Sequence, residues 1–149
     1  MTHRMSTRRK LAIATWDAPK EGMIYGKLVI DAAPAVAYID DFRERTGERL
    51  TITHLVTKAV ALGLREAPGL NGTLRLGSFV PFETVDLSLL VTIDGGRDLA
   101  KVKIDRCDEK SLVELCRETR AGAGNLRDGK DEAFEKSKPL LRALPTWLL

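Results

Sequence analysis

Two stretches of the chain show the clearest order of hydrophobic and polar positions, and they predict one helix and one strand. Within Ile52–Leu64 the apolar residues recur every three or four positions, which places them along one stripe of an α-helix. Either Thr51 or Thr53 can cap the start of this helix, and Pro68 ends it. Within Val85–Ile93 every odd position is apolar, the alternation of a strand with one buried face.

We expect this helix and this strand to pack against each other. The expected contact joins four side chains of the helix to three of the strand, namely Leu55, Val56, Ala59 and Leu62 with Leu87, Leu89 and Val91. Further apolar residues widen the stripe of the helix, so it should bury much of its surface.

The residues before the central helix predict one more strand and one more helix. Gly22–Ile30 alternates between two faces, which is typical of a strand. Asp31 can then cap a helix, Pro34 fits in its first turn, and Gly47 is a natural stop. The apolar residues of this helix recur at helical spacing, at Ala35, Ile39 and Phe42.

Two turn signals follow the central helix. Asn71-Gly72 predicts a turn before a short strand that contains Leu74 and Leu76. Asp94-Gly95-Gly96 predicts the turn of a hairpin, in which Leu99–Ile104 is the partner of the alternating strand.

The last third of the chain predicts helices. Asp108 can cap a helix that Gly122 and Gly124 would end. Its buried stripe consists of Leu112, Leu115, Cys116 and Thr119. A final helical segment begins near Asp131 and is split by Pro139. The apolar residues after it lead us to expect a chain that associates with itself, and they are Leu140, Leu141, Leu144, Trp147, Leu148 and Leu149.

The composition is that of an ordinary globular chain. Its 149 residues suit one domain, and 44% of them are hydrophobic, which is enough for a core. The net charge of +3 is too small to favour nucleic acid as a partner. No apolar run approaches the roughly 20 residues of a membrane helix, and the N-terminus lacks the apolar core of a secretory signal. We therefore expect a cytoplasmic protein without membrane contact.

Residues 1–7 are polar and predict a flexible arm. The basic residues in and after this arm could contact phosphate, and they are Arg4, Arg8, Arg9 and Lys10. A small nucleic-acid-binding module is therefore one alternative, although no aromatic residues are interleaved to support it. The apolar segment Leu11–Trp16 is compatible with either a strand or a helix.

Few residues are candidates for chemistry. His54 in the first turn of the central helix could act as a general base, but the spacing assigns it neither a nucleophile nor a carboxylate. A packing or surface residue near the helix start is therefore favoured. The helix N-terminus should lower its pKa. Cys107 and Cys116 lie nine positions apart, which matches no common zinc spacing, and we interpret them as reduced structural thiols.

Acidic residues could bind a cation at one glycine-rich place. Asp94 and Asp98 flank the Gly95-Gly96 turn, but a hairpin turn with solvated charges fits the neighbouring strands better. Asp40-Asp41 is interpreted as a solvated helix face. Since the sequence also lacks a phosphate loop, a dinucleotide fingerprint and a nucleophile elbow, we assign no catalytic residue and no metal ligand.

Several segments, taken in order, resemble the catalytic domain of the 2-oxo acid dehydrogenase acyltransferases, the E2 components, which are relatives of chloramphenicol acetyltransferase. The matching segments are RRKLA at 8–12, KAVAL at 58–62, PGLN at 68–71, VDLS at 85–88, the link at 105–112 and RDGK at 127–130. The resemblance covers most of this chain and the first half of the family domain.

The resemblance implies an α/β fold, a two-layer sandwich of the chloramphenicol acetyltransferase type, with residues 8–149 as the N-terminal part of the domain. The implied reaction is acyl transfer between a dihydrolipoyl thiol and coenzyme A, which is a co-substrate, and no covalently bound cofactor is expected. The implied partners are further copies, in a homotrimer or a larger assembly, and a dihydrolipoyl domain. Arg8 takes the place of a family arginine that supports the active-site aspartate.

The chain also departs from the family pattern. The family base lies in a His-x-x-x-Asp-Gly motif, and neither His3 nor His54 belongs to one. Because a thiol needs a base to become a nucleophile, we expect this chain, without the catalytic half, to be inactive alone. A Thr-Pro-x-Gly-Leu turn is replaced by Thr92–Gly96, and a Pro-broken segment follows Lys130 where the family has a strand. The alternative within the family is a non-catalytic scaffold subunit that forms the trimer.

Overall fold

The computed structural model describes residues 6–14 and 25–130. Its elements, in order, are α1 (Thr7–Ala14), α2 (Ala33–Thr46), α3 (Ile52–Glu66), a 3-10 turn (Pro68–Leu70), β1 (Gly72–Arg75), β2 (Ser78–Pro81), β3 (Leu87–Ile93), a 3-10 turn (Asp94–Gly96), β4 (Asp98–Ile104) and α4 (Leu112–Arg127). In the described residues the strands form two small sheets, β1 with β2 and β3 with β4. The fold therefore mixes helices with small sheets, which agrees with the predicted mixture of helices and strands.

The described chain divides into two compact units. Residues 31–89 and 101–122 form the larger one, and residues 6–14, 25–30, 90–100 and 123–130 belong to the second. In the larger unit Ile39 and Phe42 of α2 pack with Leu50 and with Cys116 of α4. Leu55, Leu112 and Val113 pack against this cluster. The core of the larger unit thus joins three helices through the connection between α2 and α3.

Helix α2 confirms the prediction from local signals. The Asp31 carboxylate accepts a hydrogen bond from the Ala33 N–H (2.9 Å), and Pro34 lies in the first turn. Gly47 ends the helix in the left-handed conformation, with φ of 69°. Its N–H donates to the carbonyl of Arg43 (2.9 Å), so the expected stop is in place. The N-cap residue is Ala32, and Asp31 binds the first turn from one position before it.

Helix α3 has the predicted bounds, but the predicted buried face is wrong. His54, Thr57 and Ala61 are buried, whereas Val56 is 55% exposed and Ala59 is also exposed. Polar side chains can be buried when they form hydrogen bonds within their own helix, and the Thr57 hydroxyl donates to the Thr53 carbonyl (2.7 Å). A pattern built from apolar residues alone could not identify this face.

The strand predicted at Gly22–Ile30 is also wrong for the residues that the structure describes. Tyr25–Ile30 has no regular secondary structure, and its apolar side chains are mostly exposed. A strand needs a partner edge for its backbone groups, and none of the described strands pairs with this segment. Gly22, Met23 and Ile24 lie outside the described residues.

The turn of the first hairpin does not lie at Asn71-Gly72, where the sequence predicted a turn. Gly72 pairs with Pro81 and Arg75 with Ser78, so the turn is made by Leu76 and Gly77, whose φ angles are 50° and 77°. Two successive positive φ angles match the twist of a tight hairpin. Asn71 instead closes the base of the hairpin, since its side-chain amide donates to the Thr84 carbonyl (3.0 Å) and its carbonyl accepts from the Phe82 N–H (2.9 Å).

The second hairpin confirms the alternating pattern. Along β3 the odd positions from Leu87 are less exposed than the even ones, and Ile93 is buried. The connection Asp94–Gly96 has positive φ angles throughout, which explains its glycines. As predicted, this segment is a turn between two strands.

Helix α4 begins later and ends later than predicted. Ser111, not Asp108, caps it, because the Ser111 N–H donates to the Glu114 carboxylate (2.7 Å) and the Glu114 N–H donates to the Ser111 hydroxyl (3.2 Å). The helix continues through Gly122, where a Cβ atom would lie 2.6 Å from Val102 Cγ1. This glycine permits close packing on β4 and does not end the helix.

The remaining predicted segments are partly outside the described residues. Leu11–Ala14 belongs to α1, which resolves the choice between strand and helix in favour of a helix. Residues 1–5, 15–24 and 131–149 are not described, and this range includes the helical segment predicted from Asp131 and the apolar residues at the C-terminus. Among the described helices, none is long and apolar enough to cross a membrane.

Candidate functional site

His54 serves the start of its own helix. The Thr51 N–H donates to His54 Nδ1 (3.2 Å), and the Thr51 hydroxyl lies 2.9 Å from the same nitrogen. The side chain is 8% exposed. Burial lowers its pKa, and the positive charge of Arg120 lowers it further. A lowered pKa favours the neutral imidazole, which accepts the hydrogen bond of the cap. The sequence left a packing and a surface role open, and the structure buries this residue.

The cap predicts a pH dependence of folding. Because the pKa of His54 is lowered in the folded chain, the unfolded chain binds more protons below about pH 6.5, the ordinary value. The free energy of unfolding should therefore fall as the pH drops from about 6.5 towards the lowered pKa. Urea unfolding at about pH 7.5 and about pH 5 measures this difference.

The control is His54→Gln, since glutamine at this helix position can accept the same N–H without titrating. The difference in unfolding free energy between the two pH values should shrink in this variant. If the free energy of unfolding falls by the same amount in the parent and in the variant, the titration of His54 does not contribute to the pH dependence.

The two cysteines have no reactive surroundings. Both are buried and unpaired, and burial raises the pKa of each thiol. The Cys107 thiol donates to the Ile104 carbonyl (3.2 Å), and Cys116 lies in the core, on the predicted helix face. A raised pKa disfavours the thiolate that a nucleophile or metal ligand requires, so their role is structural.

Lys58 binds the connection between β4 and α4. Its ammonium group donates to the carbonyl oxygens of Cys107 (3.3 Å), Asp108 (2.7 Å) and Lys110 (2.6 Å). An ammonium group has three protons, so this arrangement uses its full donor capacity. Lys58 falls in the KAVAL segment that resembles the E2 family, and its role is to attach α3 to this connection.

Ion pairs attach the same connection on its other side. Lys103 Nζ lies 2.8 Å from Asp86 Oδ2 and 2.5 Å from Asp105 Oδ1. The Arg106 N–H donates to Asp86 Oδ1 (3.0 Å). The hydrogen bond from Lys103, then that from the Arg106 backbone, lowers the pKa of Asp86. Asp86, part of the VDLS segment, therefore joins the start of β3 to the end of β4.

Glu48 is a buried acid between two arginines of α4. Its carboxylate accepts from Arg117 Nε (2.8 Å) and from Arg120 Nη2 (2.9 Å). The hydrogen bond from Arg117 lowers the pKa of Glu48, and the charge of Arg120 adds to this. A buried charge requires a partner, and the two arginines provide it for Glu48. These contacts attach α4 to the connection that precedes α3.

A groove in the larger unit separates α3 from β3. It has a volume of about 400 Å³. Its lining consists of Ile52, Thr53, Val56, Thr57, Val60, Leu87, Ser88 and Leu89. The helix and strand predicted to pack together are thus neighbours, but three of the residues expected at their contact, Val56, Leu87 and Leu89, line a groove instead.

The other charged candidates include residues of α1 and α2. Arg8, Arg9 and Lys10 lie on α1, Arg4 is outside the described residues, and the supporting role of Arg8 stays a prediction. Asp40 and Asp41 are exposed and pair with Arg43 (3.6 Å) and Arg45 (2.7 Å), as expected of a solvated helix face. Within the ranges 6–14 and 25–130, no three His, Cys, Asp or Glu side chains form a metal-binding group.

Sequence reasoning missed the roles of Lys58 and Glu48. Lys58 binds carbonyls 49 to 52 positions away, and Glu48 binds arginines 69 and 72 positions away. Neither spacing leaves a local signal. The sole hint for Lys58 was its place in a segment that resembles the E2 family.

Comparison with known proteins places the chain among acyltransferases. The model of the family described as 2-oxoacid dehydrogenases acyltransferase (catalytic domain) matches residues 8–137. The dihydrolipoyllysine-residue acetyltransferase component of the acetoin cleaving system of Bacillus subtilis (strain 168) is 32% identical over 87 residues. This match covers 58% of the chain and 21% of that protein, so the chain spans about a fifth of the length of its relative.

Solved structures agree. The dihydrolipoamide acetyltransferase of Azotobacter vinelandii, studied for the catalytic roles of a serine, a histidine and an asparagine, matches with a TM-score of 0.60 and 28% identity, covering 67% of this chain and 42% of that one. The cubic core of the pyruvate dehydrogenase multienzyme complex matches with a TM-score of 0.60 and 27% identity, at 67% and 42% coverage. With a family match over most of its length, the chain belongs to the 2-oxoacid dehydrogenase acyltransferases, the E2 components.

Proposed function

We propose that this chain works as part of an E2-type domain that transfers an acyl group between a dihydrolipoyl thiol and coenzyme A. The observation that carries this proposal is the match of the acyltransferase catalytic domain over residues 8–137. We also propose the two-layer α/β sandwich of the chloramphenicol acetyltransferase type as its fold. A cytoplasmic location is supported by the two unpaired thiols, since reducing compartments keep thiols free.

The described residues support a structural role for this part of the chain, in which they stabilise the fold and do not supply the base. A thiol acceptor needs a base, and His54 is bound within its helix cap. Lys58, Glu48 and Asp86 each bind neighbouring segments of the chain. We therefore propose that the base comes from outside the described residues.

We propose that the chain acts in an assembly of several copies, a homotrimer or larger, with a dihydrolipoyl domain as the partner that delivers the acyl group. The support is the likeness to the cubic core of the pyruvate dehydrogenase multienzyme complex. A non-catalytic scaffold is the second candidate, and it is favoured by the contacts of charged side chains that join distant segments of the chain, such as those of Lys58 and Glu48.

The 149-residue chain alone should not transfer acyl groups. Thiol release from acetyl-CoA with dihydrolipoamide should proceed at the rate measured without protein, because no described residue is placed as the base. Turnover above that rate, lost in His54→Gln, would assign the base to His54 and contradict this expectation.

A chimera tests the family function directly. Residues 8–130 would replace the matching segment of the Azotobacter vinelandii dihydrolipoamide acetyltransferase, and cooperative unfolding would show that the product folds. We expect turnover clearly above that of the chain alone, with His54→Gln in the chimera as a matched control that keeps activity. A folded chimera without turnover would reject the acyltransferase role and support the scaffold.

A further inference from the structure

The sequence Asn71-Gly72 at the base of the first hairpin is chemically labile. Because a glycine has no Cβ to shield its nitrogen, the Gly72 nitrogen can attack Asn71 Cγ. A C–N bond then closes a succinimide ring, the Cγ–Nδ2 bond breaks, and ammonia leaves with the proton of the Gly72 N–H. Water opens the ring at either carbonyl and yields aspartate or isoaspartate. The other asparagine, Asn125, is followed by leucine and lies within α4.

Packing requires the glycine of this pair. A Cβ atom on Gly72 would lie 2.4 Å from Phe79 Cζ and 2.5 Å from the Val80 carbonyl oxygen, so no residue with a side chain fits without a shift of the opposite strand. The turn of the hairpin is made by Leu76 and Gly77 and does not depend on Gly72. The fold therefore keeps the labile pair for a steric reason.

The closed hairpin holds Asn71 in an unreactive geometry. In an L-residue Cβ stands about 120° from the nitrogen around the Cα–C bond. The ψ angle of 78° therefore places the Gly72 nitrogen almost opposite Asn71 Cβ, whereas the ring needs both on the same side. Asn71 Nδ2 also donates to the Thr84 carbonyl (3.0 Å), and the Asn71 carbonyl accepts from the Phe82 N–H (2.9 Å). Rotation about ψ would turn this carbonyl away from Phe82, so the ring can close only when the base of the hairpin opens.

Several features of the hairpin favour such opening. β1 and β2 pair with each other and with no other described strand, and a lone two-stranded hairpin is marginally stable in water. All four residues of β2 are exposed, so little apolar burial holds the strand in place. Leu76 in the turn has a φ of 50°, which is unfavourable for a residue with a Cβ. A segment with few buried contacts opens locally while the rest of the chain stays folded.

We propose that Asn71 is a site of spontaneous deamidation whose rate is set by the opening of the β1–β2 hairpin. The product weakens the closed hairpin. An aspartate has no proton to donate to the Thr84 carbonyl at neutral pH, and it places a negative charge beside that oxygen. An isoaspartate adds one carbon to the backbone and shifts the pairing of the strand that follows. Deamidation thus turns a transient opening into a permanent change.

Peptide mass spectrometry of the full chain, incubated at mildly alkaline pH, measures the conversion of each asparagine. We expect conversion at Asn71 and none at Asn125 over the same period. The rate at Asn71 should be at least about tenfold lower in the folded chain than in urea, since the closed hairpin is unreactive. Gly77→Ala should raise the folded-state rate about fivefold, because alanine is strained at a φ of 77° although its Cβ meets no described neighbour. The control is Gly124→Ala in α4, where an added Cβ also meets no described neighbour, and it should leave the rate unchanged.

Two further measurements complete the test. Cooperative unfolding shows whether Gly77→Ala is folded, and if it is not, urea below the unfolding transition of the parent replaces it and should raise the rate at Asn71. In an Asn71→Asp chain, the Phe82 N–H should exchange with deuterium faster than in the parent. The proposal is overturned by any of four results: no conversion at Asn71 in the folded chain, equal rates in the folded and unfolded chains, no response to hairpin destabilisation, or unchanged exchange at Phe82.

Discussion

Replacing Lys58 by methionine should destabilise the chain by about 2–4 kcal/mol, because it removes a charged donor from several part-buried acceptors at once. The ammonium group donates to three carbonyl oxygens of the connection between β4 and α4. Methionine has a similar length and an apolar end, so it keeps the packing of the stem but cannot bind the carbonyls. Urea unfolding measures the difference in free energy.

The matched control is Lys101→Met, since Lys101 is an exposed lysine of β4, and such a change should stay within about 0.5 kcal/mol. Lys58→Arg adds a second comparison, because it keeps the charge but places its donors in a planar fork. We expect it to recover only part of the loss. Equal unfolding free energies for the parent and Lys58→Met would mean that water serves the carbonyls equally well.

Leu50→Ala should cost about 2–5 kcal/mol, the range for removing a fully buried leucine side chain. Leu50 has no exposed surface and packs with Ile39, Phe42 and Cys116. Its carbonyl also accepts from Arg43 Nε (3.0 Å) and Nη2 (2.8 Å), so the backbone at this point has little freedom to move into the cavity. Thermal or urea unfolding measures the loss.

Leu70→Ala is the comparison for this core substitution, because Leu70 is 76% exposed and should behave as a surface position. Leu62, expected from the sequence to be a central core residue, is half-buried, so Leu62→Ala should fall between the two. A loss at Leu62 as large as at Leu50 would show that the face of α3 identified by the structure is not the one that matters for stability.

The parts of the fold that sequence reasoning predicted correctly are those with a local physical cause. Asp31, Pro34 and Gly47 act on the helix that they border, and the alternation along β3 follows from the geometry of a strand. The same reasoning applied to Gly22–Ile30 failed, because alternation shows that a segment is able to form a strand and says nothing about the edge that it would pair with.

The prediction of the buried face of α3 was wrong for a second reason. Apolar periodicity identified the stripe with Val56, but the structure buries His54 and Thr57, whose polar atoms bind within the same helix turn. The prediction that Gly122 ends α4 was wrong for a similar reason. A glycine that permits close contact with Val102 cannot be distinguished in sequence from one that ends a helix. For the candidate site, the assignment of no catalytic residue followed from a missing motif, whereas the contacts of Lys58 and Glu48 depend on the folded chain.

The attachment made by Lys58 differs from its neighbours in how it should respond to acid. Its three acceptors are peptide carbonyls, which do not gain a proton in ordinary acidic buffers. Glu48 and Asp86 are carboxylates with lowered pKa values, so their contacts persist below the usual range and then disappear on protonation. Acidification should therefore break the carboxylate contacts first, which are those of Glu48 with the arginines of α4 and of Asp86 with Lys103. The hydrogen bonds from Lys58 of α3 to the segment that leads into α4 should remain.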